Sequence, residues 1–153
     1  MRSAAKQSGM SLIETLVALL VFSVGILGIA SLMLTSMRHN NETLSRTQST
    51  ILANEIYEMM RANLAAVEAG DYTLAMGSGL PYTAQTDCTA SVCNTTQIAT
   101  WDLAKWGARV NRVLPGADAG VNVDASSDPM SIQVQLSFDT SHATTETFTF
   151  RLR

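Results

Sequence analysis

The longest pattern in the chain is an apolar run from Met10 to Leu34 whose only charge is Glu14. From Thr15 to Met37 there are 23 residues without Asp, Glu, Lys or Arg. As a helix these would span about 34 Å, enough for a hydrocarbon core of about 30 Å. One membrane pass fits, and a multi-span transporter is excluded. Beyond Arg38 the helical rhythm continues in a different form. Leu44, Ile51, Leu52, Ile56, Met59, Met60, Leu64 and Val67 recur at three- and four-residue intervals, the signature of an amphipathic helix. Glu42 and Arg46, and Glu58 and Arg61, are spaced to pair on its exposed side. No proline precedes Pro81, and Gly70-Asp71 supplies a stop. The spacing therefore predicts one helix from about Ser11 to Ala69, roughly 88 Å long.

Residues 70–100 are rich in Gly, Ser, Thr and Ala and lack sustained periodicity, which predicts a long loop. Leu103, Trp106, Val110 and Val113 at mostly helical spacing predict a second helix over Asp102 to Leu114, ended by Pro115-Gly116. Strict alternation then predicts three strands: Val121 and Val123; Ile132, Val134, Leu136 and Phe138; Phe148, Phe150 and Leu152. A three-stranded sheet with one apolar face needs a cover, and the apolar stripe of the long helix provides it. The expected fold class is α+β, a long N-terminal helix packed on a small C-terminal antiparallel sheet.

Composition sharpens this. The 153 residues are 46% hydrophobic and only 15% charged, against about 25% charged in ordinary soluble domains. The net charge is −3, and after Arg2 and Lys6 the eight remaining bases are scattered and outnumbered by thirteen acids. No stripe of cations is available for phosphate contacts, so nucleic acid is not an expected partner. Residues 1–9 are short, small or polar, and basic at Arg2 and Lys6. If this positive leader stays in the cytoplasm, the rest of the chain beyond the apolar run lies outside it. A disulfide is then the default for Cys88 and Cys93. Closing so short a loop contributes about 2 kcal/mol by chain entropy.

The junction Gly9-Met10-Ser11-Leu12-Ile13-Glu14, between basic leader and apolar helix, resembles the class III signal of type IV pilins and pseudopilins. That signal has a glycine before the cut, an apolar first mature residue and a glutamate fifth. Ordinary secretory signals place the cut after the apolar region; Gly28-Ile29-Ala30 would suit such a cut ahead of Ser31, but a disposable leader requires neither the helical pattern running on through residue 69 nor the position of Glu14. Ile51 to Ile56 and Met60-Arg61-Ala62-Asn63 further resemble the minor pilins called type IV pilus modification protein, the PilV type. Together these matches cover about a third of the chain. Two features depart from the family pattern: residue 31 is Ser where a helix proline is often found, and the cysteines sit close together in a loop instead of bracketing a C-terminal segment.

The resemblance implies a minor pilin, a structural subunit that helps start pilus assembly or joins a tip complex. It implies three segments: a leader, 1–9, removed by prepilin peptidase; a transmembrane and assembly half-helix, 10–37; and a periplasmic domain, 38–153. Cleavage between Gly9 and Met10, N-methylation of Met10 and an assembly salt bridge at Glu14 follow. Partners would be other minor and major pilins, the inner-membrane assembly machinery and, in some members, a tip adhesin. The chain would pass from the bacterial inner membrane to the cell surface. A minor pseudopilin of type II secretion shares the same amino terminus and remains the alternative within the superfamily. A signal-anchored envelope enzyme or binding module would need a catalytic or ligand cluster in residues 70–153.

No such cluster is legible. Zinc would need two ligands beyond the cysteines, and His39 and His142 are the only histidines. A Cys-x-x-Cys motif, Gly-x-Ser-x-Gly and a phosphate-cradling glycine loop are all missing. Asp118, Asp124 and Asp128 match no calcium-loop spacing and read as a solvated turn. Trp101 and Trp106 read as core or helix-packing residues. No catalytic residue, metal or cofactor is expected. Gly25 and Gly28 each weaken a helix by about 1 kcal/mol relative to Ala; they read either as points of helix flexibility or as small residues for close helix packing.

Overall fold

The computed structural model describes residues 11–138 and 145–152. The order of elements is α1 (Leu12–Ala62), α2 (Leu64–Glu68), α3 (Thr95–Val113), β1 (Ala119–Asp124), β2 (Met130–Ser137) and β3 (Thr145–Leu152). This is the expected α+β arrangement. The chain divides into two compact units at Glu42/Thr43, and α1 belongs to both.

In the first unit every large apolar side chain from Leu12 to Met37 is solvent-exposed. Among the described residues nothing covers it, and the helix is long and apolar enough to cross a membrane. The second unit holds the core. There the buried stripe of α1 is Ser49, Leu52, Ala53, Ile56 and Met60. Leu44, Ile51 and Leu64, which the apolar spacing also placed on that stripe, are exposed instead. Ser49 takes an inward position because its hydroxyl donates to Ser45 O in the preceding turn (2.9 Å), which satisfies it without a partner across the core.

The long helix does not reach Ala69 unbroken. Asn63 leaves helical geometry (φ −134°, ψ 58°) and its side-chain amide donates to Thr95 O at the start of α3 (2.8 Å). Asn bonds readily to backbone outside its own helix, which here outweighs one turn of helical continuity. The chain resumes as α2, and Gly70 (φ +81°) closes it. Asp71 N–H donates to Ala66 O (2.9 Å) and Gly70 N–H to Val67 O (3.0 Å), the paired bonds of a Schellman ending.

The second helix begins at Thr95, seven residues before the expected start. A capping box explains the extension. Asn94 Oδ1 accepts from Gln97 N–H (2.9 Å), and Gln97 Oε1 accepts from Asn94 N–H (3.0 Å). The sheet is antiparallel in the order β1-β2-β3. Val121, Val134 and Phe148 align across it, as do Val123, Ile132 and Phe150, so both rows present one apolar face to the core. The outer edge of β1 is covered by the loop at Leu74, which exchanges two backbone bonds with Val121 (2.9 and 2.8 Å). On the other edge, Tyr57 of α1 stacks on Phe150 (ring centroids 4.4 Å apart) and donates to Arg151 O (3.2 Å); Arg46 pairs with Glu146.

Candidate functional site

Two regions carry chemistry. The first is the amino-terminal part of α1. Gly9 and Met10 lie outside the described residues. Helical bonding begins at Ser11, whose carbonyl accepts from Glu14 N–H (3.0 Å), so Glu14 stands in the first turn. An acid there also complements the positive end of the helix dipole. Glu14 is exposed, among exposed apolar neighbours. Gly25 and Gly28 sit within the continuous helix, and a Cβ at either would meet nothing. Among its described residues this unit has no internal core. Its apolar surface can be satisfied only by lipid or by other apolar helices.

The second region is where α3 meets the loop and α1. Trp106 is fully buried and its indole N–H donates to Leu52 O of α1 (2.8 Å). Trp101 behaves differently: it is half-buried and lies under the Lys105 ammonium, 3.9 Å from its ring centroid. Arg109 pairs with Glu55 of α1 (2.9 Å). Beneath them Tyr72 donates its hydroxyl to Asp102 Oδ2 (2.6 Å), and both are buried. Burial raises the Tyr72 hydroxyl far above its ordinary range, and the neighbouring Asp102 raises it further, so it remains a donor. Burial also raises Asp102; the Tyr72 bond and the Lys105 charge pull the other way but are smaller.

The sign of the Asp102 contribution follows. A carboxyl whose folded pKa exceeds its unfolded value takes up more protons in the folded state, so its contribution falls as pH rises. The window opens near the unfolded value of about 3.9. Melting curves of wild type and Asp102→Asn from pH 3 to 7 are expected to move in wild type's favour as pH falls. A difference that moves the other way would contradict the assignment of burial as the dominant cause. Tyr72→Phe removes the donor to a buried carboxylate and is expected to cost about 1–3 kcal/mol at neutral pH.

Cys88 and Cys93 are joined by a disulfide. The bond closes the turn just before the Asn94 cap. Asp87, beside it, accepts at Oδ1 from the Thr89 N–H (2.9 Å) and hydroxyl (2.6 Å), and the hydroxyl bond holds its carboxyl below the usual range. Of the three acids read as one solvated turn, Asp124 and Asp128 are exposed and Asp118 is not. Asp124 does sit in an exposed turn, held by Ser126, which lowers its pKa. Asp118 is buried: Oδ2 accepts from Gly77 N–H (2.5 Å) and Oδ1 from Ala119 N–H (2.9 Å), clamping the loop onto the start of β1. An aspartate directly before an apolar strand has the same composition in either role, and only the fold brings Gly77 to it. Among the described residues no three His, Cys, Asp or Glu side chains are grouped to hold a metal ion.

Several of these contacts had no reading in the sequence. The Tyr72–Asp102 bond joins residues 30 apart in the chain, with no motif around either. Gly107 did carry a signal, as a glycine inside a helical pattern. A Cβ there would lie 2.3 Å from Pro81 O, so only glycine lets the loop approach this closely.

Comparison with known families agrees with the geometry. Residues 4–30 match the prokaryotic N-terminal methylation motif, and residues 31–104 match the family of type IV pilin Tt1218. The two matches are contiguous and carry through α1, the loop, the disulfide and the first half of α3. No curated protein and no solved structure gives a significant match. A prepilin motif implies processing by prepilin peptidase and assembly with other pilins, and the long apolar helix suits anchoring in a membrane. Pilins are structural subunits, not enzymes. With a methylation motif leading into an uncovered apolar helix, and an α+β unit of the expected order behind it, the chain belongs to the type IV pilins.

Proposed function

We propose that this pilin is a minor subunit of the PilV type, which helps initiate a type IV pilus or joins its tip complex. The observation that carries the reading is the segment Ile51 to Asn63. Its residues resemble that subtype, and they form the face of α1 on which Tyr57 stacks with Phe150 and Leu52 receives Trp106. The position of the cysteines supports the same reading. They brace the turn before α3 and do not bracket a C-terminal segment as in many major pilins. The domain beyond α1's apolar half faces the periplasm, because the basic leader favours the cytoplasmic side, and a disulfide suits that compartment.

In this reading prepilin peptidase cuts between Gly9 and Met10 and methylates Met10. The mature chain then has five more acids than bases, thirteen against eight. Intact mass and N-terminal sequencing of membrane-extracted protein should give a chain starting at Met10, and a bulky residue at Gly9 should leave the precursor uncut. A mature chain starting at Ser31 would overturn the processing scheme. Gene deletion tests the role. Loss or shortening of surface pili, restored by the wild-type gene, supports the minor pilin; a secretion defect with normal pili points to the pseudopilin instead.

A further inference from the structure

Residues 81–88 form a strap lying against α3 and fixed at both ends. At one end Pro81 rests on Gly107 so closely that any side chain there would collide with its carbonyl. At the other, Cys88 is bonded to Cys93, directly before the Asn94 cap. Between strap and helix is a groove of about 230 Å³. Its floor is Ala104 and Ala108, and its walls carry Tyr82 and Asp87 from the strap and Trp101 and Lys105 from the helix. A smaller hollow of about 100 Å³ continues from it past Thr86 and is lined by the amides of Gln85 and Gln97.

The chemistry of these walls is selective. Tyr82 is half-exposed although aromatic, which leaves ring surface available for stacking. Lys105 lies over Trp101 and presents an ammonium to the groove. Asp87 is kept ionised and fixed by Thr89. One cation and one anion leave the groove without net charge. A phosphate or carboxylate ligand would meet Asp87, while a purely apolar ligand would take water from both charged groups and offer neither a hydrogen bond in return. A neutral sugar ring satisfies both demands. Its C–H face stacks on an aromatic side chain, its hydroxyls donate to a carboxylate and accept from an ammonium, and a second unit would find amides in the adjoining hollow. Because both ends of the strap are tied, the groove is formed before the ligand arrives, and little ordering entropy is lost on binding.

We propose that the strap groove binds a neutral saccharide, with Tyr82 as the stacking surface and Asp87 and Lys105 as the hydroxyl partners. This holds for a minor or a major pilin alike, since the groove lies wholly within the globular unit.

The test uses the full mature protein in a zwitterionic detergent without a sugar headgroup, applied to an array of neutral and acidic oligosaccharides. Retention of neutral glycans is expected, and titration of the strongest neutral binder should weaken at least ~10-fold for Tyr82→Ala and several-fold for Asp87→Asn. Tyr82 is exposed, so its variant should melt like wild type, which separates loss of binding from loss of fold. Reducing the Cys88–Cys93 bond should weaken binding as well, by freeing one end of the strap. Arg112→Ala, which lies outside the groove, should bind as wild type does. The proposal is overturned if no glycan is retained, if only acidic glycans are, or if Tyr82→Ala binds unchanged.

Discussion

A Glu14→Ala chain is expected to be cleaved and inserted like wild type, yet its share in sheared filaments should fall at least ~10-fold. The reasoning begins with the uncovered apolar unit. Among the described residues Leu12 to Met37 is covered by nothing, so in an assembling pilin its exposed side chains would pass from lipid into contact with other helices. A lone carboxylate in such surroundings costs on the order of 3 kcal/mol at mid-bilayer, and less near an end. Glu14 is in the first helical turn, so in a membrane-inserted helix it would lie close to the headgroups before assembly. Cleavage at Met10 would create an amino-terminal cation four residues away in sequence. In the resembling family this glutamate pairs with the amino terminus of a subunit. Two opposite charges together in a low-dielectric bundle offset most of the penalty of holding either alone. Removing one partner leaves the other buried and unpaired, at about 3–5 kcal/mol, which is more than the ~1.4 kcal/mol that a tenfold loss requires. Glu14→Gln, with the same shape and no charge, should fail similarly. Wild-type incorporation of both variants, read by quantitative immunoblot of the filament fraction, would reduce Glu14 to an interfacial residue.

What could be read from the sequence followed from periodicity and from strong local motifs. The apolar run, the three alternating strands and the Gly70 stop each depend on neighbours within a few residues, and each is present in the structure. Long-range competition was not legible. Asn63 breaks the helix because Thr95 is within reach of its amide, and nothing near residue 63 announces a partner 32 positions away. The early start of α3 was hidden for a different reason: Thr95, Thr96 and Thr100 are weak helix formers, and the Asn94–Gln97 capping box compensates for them. The apolar spacing of α1 was broader than its buried stripe. Leu44 and Ile51 fit the repeat but face solvent. The candidate site divides along the same line. The Gly9-Met10-Ser11-Leu12-Ile13-Glu14 junction is a contiguous signal, whereas the groove under the strap needs Pro81 to meet Gly107 and Tyr82 to face Trp101, and both depend on the folded loop.

The two tryptophans, indistinguishable by composition, should differ most under mutation. Trp106 is fully buried between α3 and the second half of α1, and its N–H is donated to Leu52 O. Trp106→Ala removes a large aromatic from the centre of the core and leaves a cavity that the tied surroundings cannot close. Pro81 is held against Gly107, one residue along, and α1 is stacked on β3 through Tyr57. The cost is expected to be about 3–5 kcal/mol. For a unit of this size that lowers the melting temperature by more than ~10 °C. Trp106→Phe keeps most of the volume and drops the hydrogen bond, so about 1 kcal/mol of the loss should be attributable to that bond. Trp101→Ala removes a half-buried ring that lies under the Lys105 ammonium, and it should cost about 1 kcal/mol or less. Thermal unfolding of the three variants side by side decides the matter. Equal losses at positions 101 and 106 would mean that α3 does not meet α1 through Trp106, and the packing that links the helix, the strap and the sheet would have to be redrawn.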